Sequence, residues 1–110
     1  MAIKLIALDL DGTTLNDDKH ISAANKAALE EAVEKGVNVV IATGRAYSAL
    51  PEDVFNVKGI QYVLTSNGAA ITDLRQGKTI YENCLSPEAV ETAVEVFKRH
   101  DFKLEAFTRG

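Results

Sequence analysis

Apolar residues come in short runs that end at polar, glycine-bearing stretches, and the spacing within each run sorts strands from helices. Residues 3–8 (Ile-Lys-Leu-Ile-Ala-Leu) are almost continuously apolar, which predicts a parallel strand covered on both faces. A polar loop runs from Asp9 to His20. Ser22 is a suitable N-cap for a helix reaching about Lys35, with an apolar stripe of Ala28, Leu29, Ala32 and Val33 and a C-terminal glycine at Gly36. Residues 37–42 (Val-Asn-Val-Val-Ile-Ala) predict a second strand. A short helix follows Arg45, with Pro51 breaking or kinking it. Ile60 to Leu64 predicts a third strand and Thr65 to Gly68 a turn.

Residues 69–72 and 79–83 predict a hairpin around Gln76-Gly77. Ser86-Pro87-Glu88 opens a helix with an N-cap, a proline at the first position and an acid in the first turn. Val90, Ala93, Val94 and Phe97 give it an apolar face. Lys103 to Thr108 predicts one more strand. Strand–helix–strand–helix–strand order argues for a parallel sheet with right-handed crossovers. The later hairpin–helix–strand rhythm predicts a second, α+β unit from about Asn83. The expected division is thus 1–82 and 83–110.

Composition narrows the function classes. In 110 residues, 46% are hydrophobic and 25% charged, ordinary values for a globular domain. A formal net charge of -4 gives no reason to expect nucleic acid or an anionic membrane as partner. No apolar run approaches the ~18 residues that span a bilayer, and the N-terminus lacks the layout of a secretory signal. With one cysteine, Cys84, no internal disulfide can form, so a cytoplasmic setting is expected. Cys84 itself reads as a small apolar residue in a strand.

Candidate chemistry gathers where the three strands end, the place where open α/β sheets bind ligands. The first strand ends in Asp9-Leu10-Asp11-Gly12-Thr13, the second in Thr43-Gly44-Arg45, the third in Ser66-Asn67-Gly68. Two carboxylates spaced by one residue, Asp9 and Asp11, can aim at one point, where a hard cation would keep both ionised. An ionised Asp can attack phosphorus, and a second acid can serve the leaving alcohol and then water. Gly12 lets backbone N–H groups turn towards phosphate oxygens. The bland alternative is a polar loop that merely starts with Asp and Gly. Thr43 is open between phosphate contact and a plain strand end, and Arg45 and Asn67 between substrate contact and loop capping. His20 and His100 lack a ligand pattern, and Asn16 to Lys19 reads as a solvated loop.

Asp9-Leu10-Asp11-Gly12-Thr13 resembles the first signature of the haloacid dehalogenase (HAD) superfamily in its phosphatase form, and Ile41-Ala42-Thr43-Gly44-Arg45 resembles the second. Thr65-Ser66-Asn67-Gly68-Ala69 looks like the third-strand ending of the Cof-type sugar-phosphate phosphatases, and Asn83-Cys84-Leu85-Ser86 like the entry to their cap domain. The resemblance implies an α/β fold: part of the Rossmann-like parallel sheet of the HAD core, then the start of an α+β cap. It implies a Mg²⁺-dependent phosphatase of small phosphorylated metabolites working through an aspartyl phosphate. Asp9 would be nucleophile and metal ligand. Asp11 would be general acid/base, with its backbone carbonyl on the metal. Thr43, with the N–H groups of Leu10 and Gly44, would hold the phosphoryl group, and Arg45 and Asn67 would orient substrate.

The family pattern also requires a downstream lysine and a downstream acidic pair. After Thr43 the lysines are Lys58, Lys78, Lys98 and Lys103, all on predicted loops, turns or cap elements, and no Asp-Asp pair follows Asn67. The chain therefore reads as the N-terminal part of a longer enzyme, with the first strand an exposed edge open to self-association. Two other readings stand beside the phosphatase: a phosphomutase sharing the Asp9 chemistry, and a non-catalytic fragment that keeps part of the fold. Dehalogenation is disfavoured by the presence of Asp11, and a dinucleotide site by the absence of Gly-x-Gly-x-x-Gly after the first strand.

Overall fold

The computed structural model describes residues 2–106. Five strands form one sheet: β1 (Leu5–Leu8), β2 (Asn38–Ala42), β3 (Tyr62–Thr65), β4 (Ala70–Asp73) and β5 (Lys78–Glu82), in that spatial order. β1, β2 and β3 run parallel, with Leu8 beside Ile41 and Ala42 beside Leu64. β4 and β5 return as an antiparallel hairpin on β3. Three helices accompany the sheet: α1 (Ala23–Glu34), α2 (Glu52–Asn56) and α3 (Pro87–Arg99). The α/β class expected from the strand–helix alternation is the one observed, and β1 is an edge strand among the described residues.

The core is one cluster in which the buried β residues Val39, Ile41 and Val63 meet Leu10, Leu15, Val54, Val57 and Ile60. Leu29, Ala32 and Val33 of α1 pack against it, whereas Ala28 of the expected stripe is exposed. The side chain of Ser22 accepts the N–H of Asn25 as an N-cap should. At the other end Gly36 has φ +88. Its N–H reaches Val33, and that of Val37 reaches Ala32, the closure that a left-handed residue after a helix permits.

Three expectations are corrected. Only one face of β1 is covered: Ile6 and Leu8 pack on the core, while Leu5 is 56% and Ile3 73% exposed. The apolar run of β1 therefore records a second face that these residues do not themselves fill. Cys84 lies exposed between β5 and α3, not in a strand. Residues 102–106 form no strand; 107 and 108 of that expected strand lie outside the described residues. The chain instead turns back on α3, since Asp101 has φ +57 and the N–H of Phe102 bonds the carbonyl of Phe97. The rings of Phe97 and Phe102 meet edge to face at 6.0 Å. The apolar face expected of α3 is present, though none of its residues is completely buried. Its apolar residues Val90, Ala93, Val94 and Phe97 line an open groove of about 860 Å³ shared with the hairpin.

Candidate active site

Parallel pairing of β1, β2 and β3 brings their C-terminal ends to one edge, and the three polar endings follow from there. Asp9 stands directly after β1 with extended backbone, φ -73 and ψ 154. The chain then makes a single kinked turn over Leu10–Thr14. Gly12 supplies the kink at φ +73, with open space where a Cβ would lie; backbone conformation, not crowding, requires glycine here. The turn is anchored from below, because Leu10 is fully buried in the core and Thr14 donates its hydroxyl to the carbonyl of Asp9 at 2.7 Å. The carboxylate of Asp9 remains exposed, touched by the Thr13 hydroxyl at 3.3 Å.

The second and third endings are laced together. Thr43 is buried; its N–H donates to Leu64, its carbonyl accepts from Asn67, and its hydroxyl accepts from the N–H of Arg45 at 3.1 Å. Ser66 donates its N–H to the carbonyl of Arg45 at 2.8 Å. Asn67 holds a left-handed backbone, φ +57. It presses its side chain so close to Gly44 that an added Cβ there would lie 2.9 Å from Oδ1. Glycine at 44 thus admits the third ending to the second.

Asp11 is where the loops after β1 and β2 meet. Arg45 donates from Nε to Oδ2 at 2.9 Å and from Nη2 to Oδ1 at 2.8 Å, the two-point geometry that makes guanidinium–carboxylate pairs strong. Its Nη1 is fixed on the carbonyl of Ala49 at 2.8 Å. Lys19 adds a third contact, Nζ to Oδ1 at 3.4 Å. The hydrogen bond from Arg45, reinforced by its charge and by Lys19 and offset by some desolvation, lowers the Asp11 carboxyl from 3.8 to about 2. Arg45 is raised in turn by the same pair. At rest Asp11 is therefore an ionised acceptor of protons.

Sequence-predicted residues fall into place unevenly. Asp9, Leu10, Asp11, Thr43, Gly44, Arg45 and Asn67 all lie on the strand-end loops. Arg45, left open between substrate contact and loop capping, is engaged by Asp11 and Ala49. Lys19, expected in a solvated loop, reaches Asp11. Its loop is a closed unit: the Asn16 side chain accepts from the N–H groups of Asp18 and His20, and Lys19 returns its own N–H to the Asn16 carbonyl. Asp53 of α2 anchors it from outside, accepting the N–H of Ile21 at 2.8 Å and meeting Nδ1 of His20 at 3.3 Å. Asn16 followed by Asp17-Asp18 was a visible turn signal; its long-range anchor at Asp53 was not.

Metal fit rests on the donors present. Among the described residues no three His, Cys, Asp or Glu side chains gather into a metal-binding group. The exposed Asp9 carboxylate is a hard oxygen donor of the kind Mg²⁺ accepts. Both side-chain oxygens of Asp11 are engaged by cations.

The chain matches the haloacid dehalogenase-like hydrolase family over residues 6–110. It belongs to that family. It is 48% identical over 71 residues to the 5-amino-6-(5-phospho-D-ribitylamino)uracil phosphatase YcsE of Bacillus subtilis, covering 64% of this chain and 28% of that protein. Among solved structures, BT1666 of Bacteroides thetaiotaomicron, from work on HAD phosphatases, superposes with a TM-score of 0.81 at 32% identity, covering 91% of this chain and 37% of the other. The HAD subclass IIB sugar phosphatase BT4131 gives 0.73 at 27% identity, covering 88% and 38%. The described sheet thus matches part of the HAD Rossmann-like core, and the chain spans about a third of the length of the curated relatives it matches. No helix among the described residues is long and apolar enough to cross a membrane.

Proposed function

We propose that these residues are the N-terminal part of a Mg²⁺-dependent phosphatase acting on small phosphorylated metabolites such as sugar phosphates, in the cytoplasm. Residues 1–82 would contribute to the core and 83–110 begin the cap. The observation that carries the reading is the meeting of three strand ends: Asp9 and Thr43 leave adjacent parallel strands at one edge, with Asp11 held between the loops. The relatives' names support it, and the sugar phosphatase among the solved structures supports the substrate class.

In the first half-reaction a carboxylate oxygen of Asp9 bonds phosphorus as the ester P–O bond breaks, and the departing oxygen takes a proton that Asp11, ionised at rest, first takes up from solvent when the substrate binds. In the second, Asp11 takes a proton back from water, the water oxygen bonds phosphorus and the Asp9–phosphorus bond breaks, releasing phosphate. The Thr43 hydroxyl and the N–H groups of Leu10 and Gly44 would hold phosphoryl oxygens, and Asn67 would orient the remainder of the substrate. Asp9, by its carboxylate, and Asp11, by its carbonyl, would hold Mg²⁺, which when bound neutralises phosphoryl charge.

The test is hydrolysis of p-nitrophenyl phosphate by the intact protein with and without Mg²⁺, together with trapping of an acid-stable, base-labile phosphoenzyme. Asp9→Asn should abolish both turnover and trapping without lowering the unfolding temperature, because an amide oxygen carries no charge for attack. Turnover near wild type in that variant would remove Asp9 as nucleophile.

A further inference from the structure

We propose that Arg45 and Lys19 are positioning residues for the second half-reaction: they fix the direction of the Asp11 carboxylate towards the attacking water and do not themselves hold the phosphate. The inference rests on the phosphatase reading above and deepens it.

Three observations carry it. Arg45 is already committed, with Nε and Nη2 on the two oxygens of Asp11 and Nη1 on the Ala49 carbonyl, and its side chain is only 28% exposed. Its backbone is held at both ends, N–H to the Thr43 hydroxyl and carbonyl to the Ser66 N–H. The guanidinium is therefore a fixed fork delivered from the β2 end to a carboxylate on the β1 end. A forked donor constrains direction as well as distance, which a single ammonium cannot do.

Lys19 reaches the same carboxylate from the loop after β1, on the Oδ1 that Nη2 of Arg45 also contacts. It occupies a left-handed backbone, φ +65, unusual for a residue with a Cβ. The hydrogen bonds within Asn16–His20 hold it there, and Asp53 ties that loop to α2. Lys19 is more exposed, 61% against 28%, so its share is the smaller. With Asp11 gripped between two loops, rotation about its side chain is restricted. Restricted rotation is what a proton acceptor needs, since misplacement of about 1 Å can cost ~10² in rate.

The test separates the two half-reactions in the intact protein with p-nitrophenyl phosphate, whose leaving group departs without a proton. Rapid-mixing measurements give the nitrophenolate burst, and decay of the trapped phosphoenzyme gives the second step. Arg45→Ala should slow that decay by about 10², leave the burst rate and the substrate dissociation constant read from its concentration dependence within a few-fold of wild type, and so let phosphoenzyme accumulate, with kcat and KM falling together. Lys19→Ala should slow it a few-fold. Arg45→Lys should rescue little, because charge without the fork does not fix direction. In an Asp11→Asn background neither substitution should add a further loss.

If Arg45→Ala does not fold, Arg45→Lys and Lys19→Ala make the same comparison. A raised KM with unchanged kcat, or a loss that multiplies with Asp11→Asn, would overturn the inference by placing Arg45 on the phosphate. A wild-type enzyme that hydrolyses the ester with no phosphoenzyme would instead sink the underlying aspartyl-phosphate reading, and this one with it.

Discussion

Asp11 and Asp53 both carry carboxyls held below their ordinary values, Asp11 chiefly by the Arg45 hydrogen bond and Asp53 chiefly by the N–H of Ile21, then by His20. A lowered folded-state value means stability that is fully present above the unfolded value and lost as pH falls through the folded one. For Asp11 that window runs from about 3.8 down to about 2. Acid titration of unfolding should show stability falling through this range, and Asp11→Asn should flatten that part of the profile; an unchanged profile would show that the Arg45 fork does not persist in solution. At this scale the legible features were chemical types at strand ends: Asp9, Asp11, Thr43 and Asn67 were readable because a run of apolar residues fixes where a strand stops. The partner of Arg45 was not, since the Arg45–Asp11 contact spans 34 positions and depends on which strands are neighbours. Lys19, only eight positions from Asp11, was hidden for a different reason: its left-handed backbone, φ +65, turns it back towards Asp11, and a lysine gives no signal of that.

Elements were legible where local rules decide. Ser22 and Ser86 cap α1 and α3 as expected, each accepting an N–H three residues on, and Gly36 ends α1. The end of α3 carries no such signal because its left-handed residue is not glycine. Asp101 takes that conformation at φ +57, with the N–H of Asp101 on Lys98 and that of Phe102 on Phe97. The apolar look of residues 102–106 comes from this return, which sets Phe102 against Phe97. Asp101→Gly should therefore stabilise the end of α3, by about 0.5–1 kcal/mol, seen as slower amide exchange in its last turn. Faster exchange would mean that the turn is not formed. Gly59 makes the opposite case. At φ +92, a Cβ there would stand 2.3 Å from Cγ1 of Val33 on α1. Gly59→Ala should cost about 2 kcal/mol from backbone strain and overpacking, lowering the unfolding midpoint by several degrees. Val33→Ala in the same chain should recover part of that loss, because it removes the atoms that clash.

At the scale of the whole molecule, two features bear on how these 110 residues behave by themselves: the open edge of the described sheet and the small number of acidic groups at the strand ends. β1 is an edge whose backbone is unpaired on the side away from β2 among the described residues, with Leu5 and Ile3 exposed beside it. Open, apolar strand edges favour association. On the proposed reading the site would bring an attacking Asp9, an acid/base in Asp11 and a hydroxyl from Thr43, but among the described residues no third acidic group stands with them as a metal ligand. Phosphoryl transfer depends on positioned positive charge, and loss of one charge-stabilising donor costs on the order of 10²–10³ in rate. The isolated chain should thus turn over p-nitrophenyl phosphate at no more than about a thousandth of the rate of the intact protein. It should bind Mg²⁺ weakly by calorimetry and appear larger than a monomer by light scattering. Leu5→Lys, which places a charge on the exposed face of the edge strand, should shift the scattering towards monomer without affecting the contact between Arg45 and Asp11. Brisk Mg²⁺-dependent turnover by a clean monomer would mean that the edge is harmless and that the three strand ends already hold enough charge for catalysis.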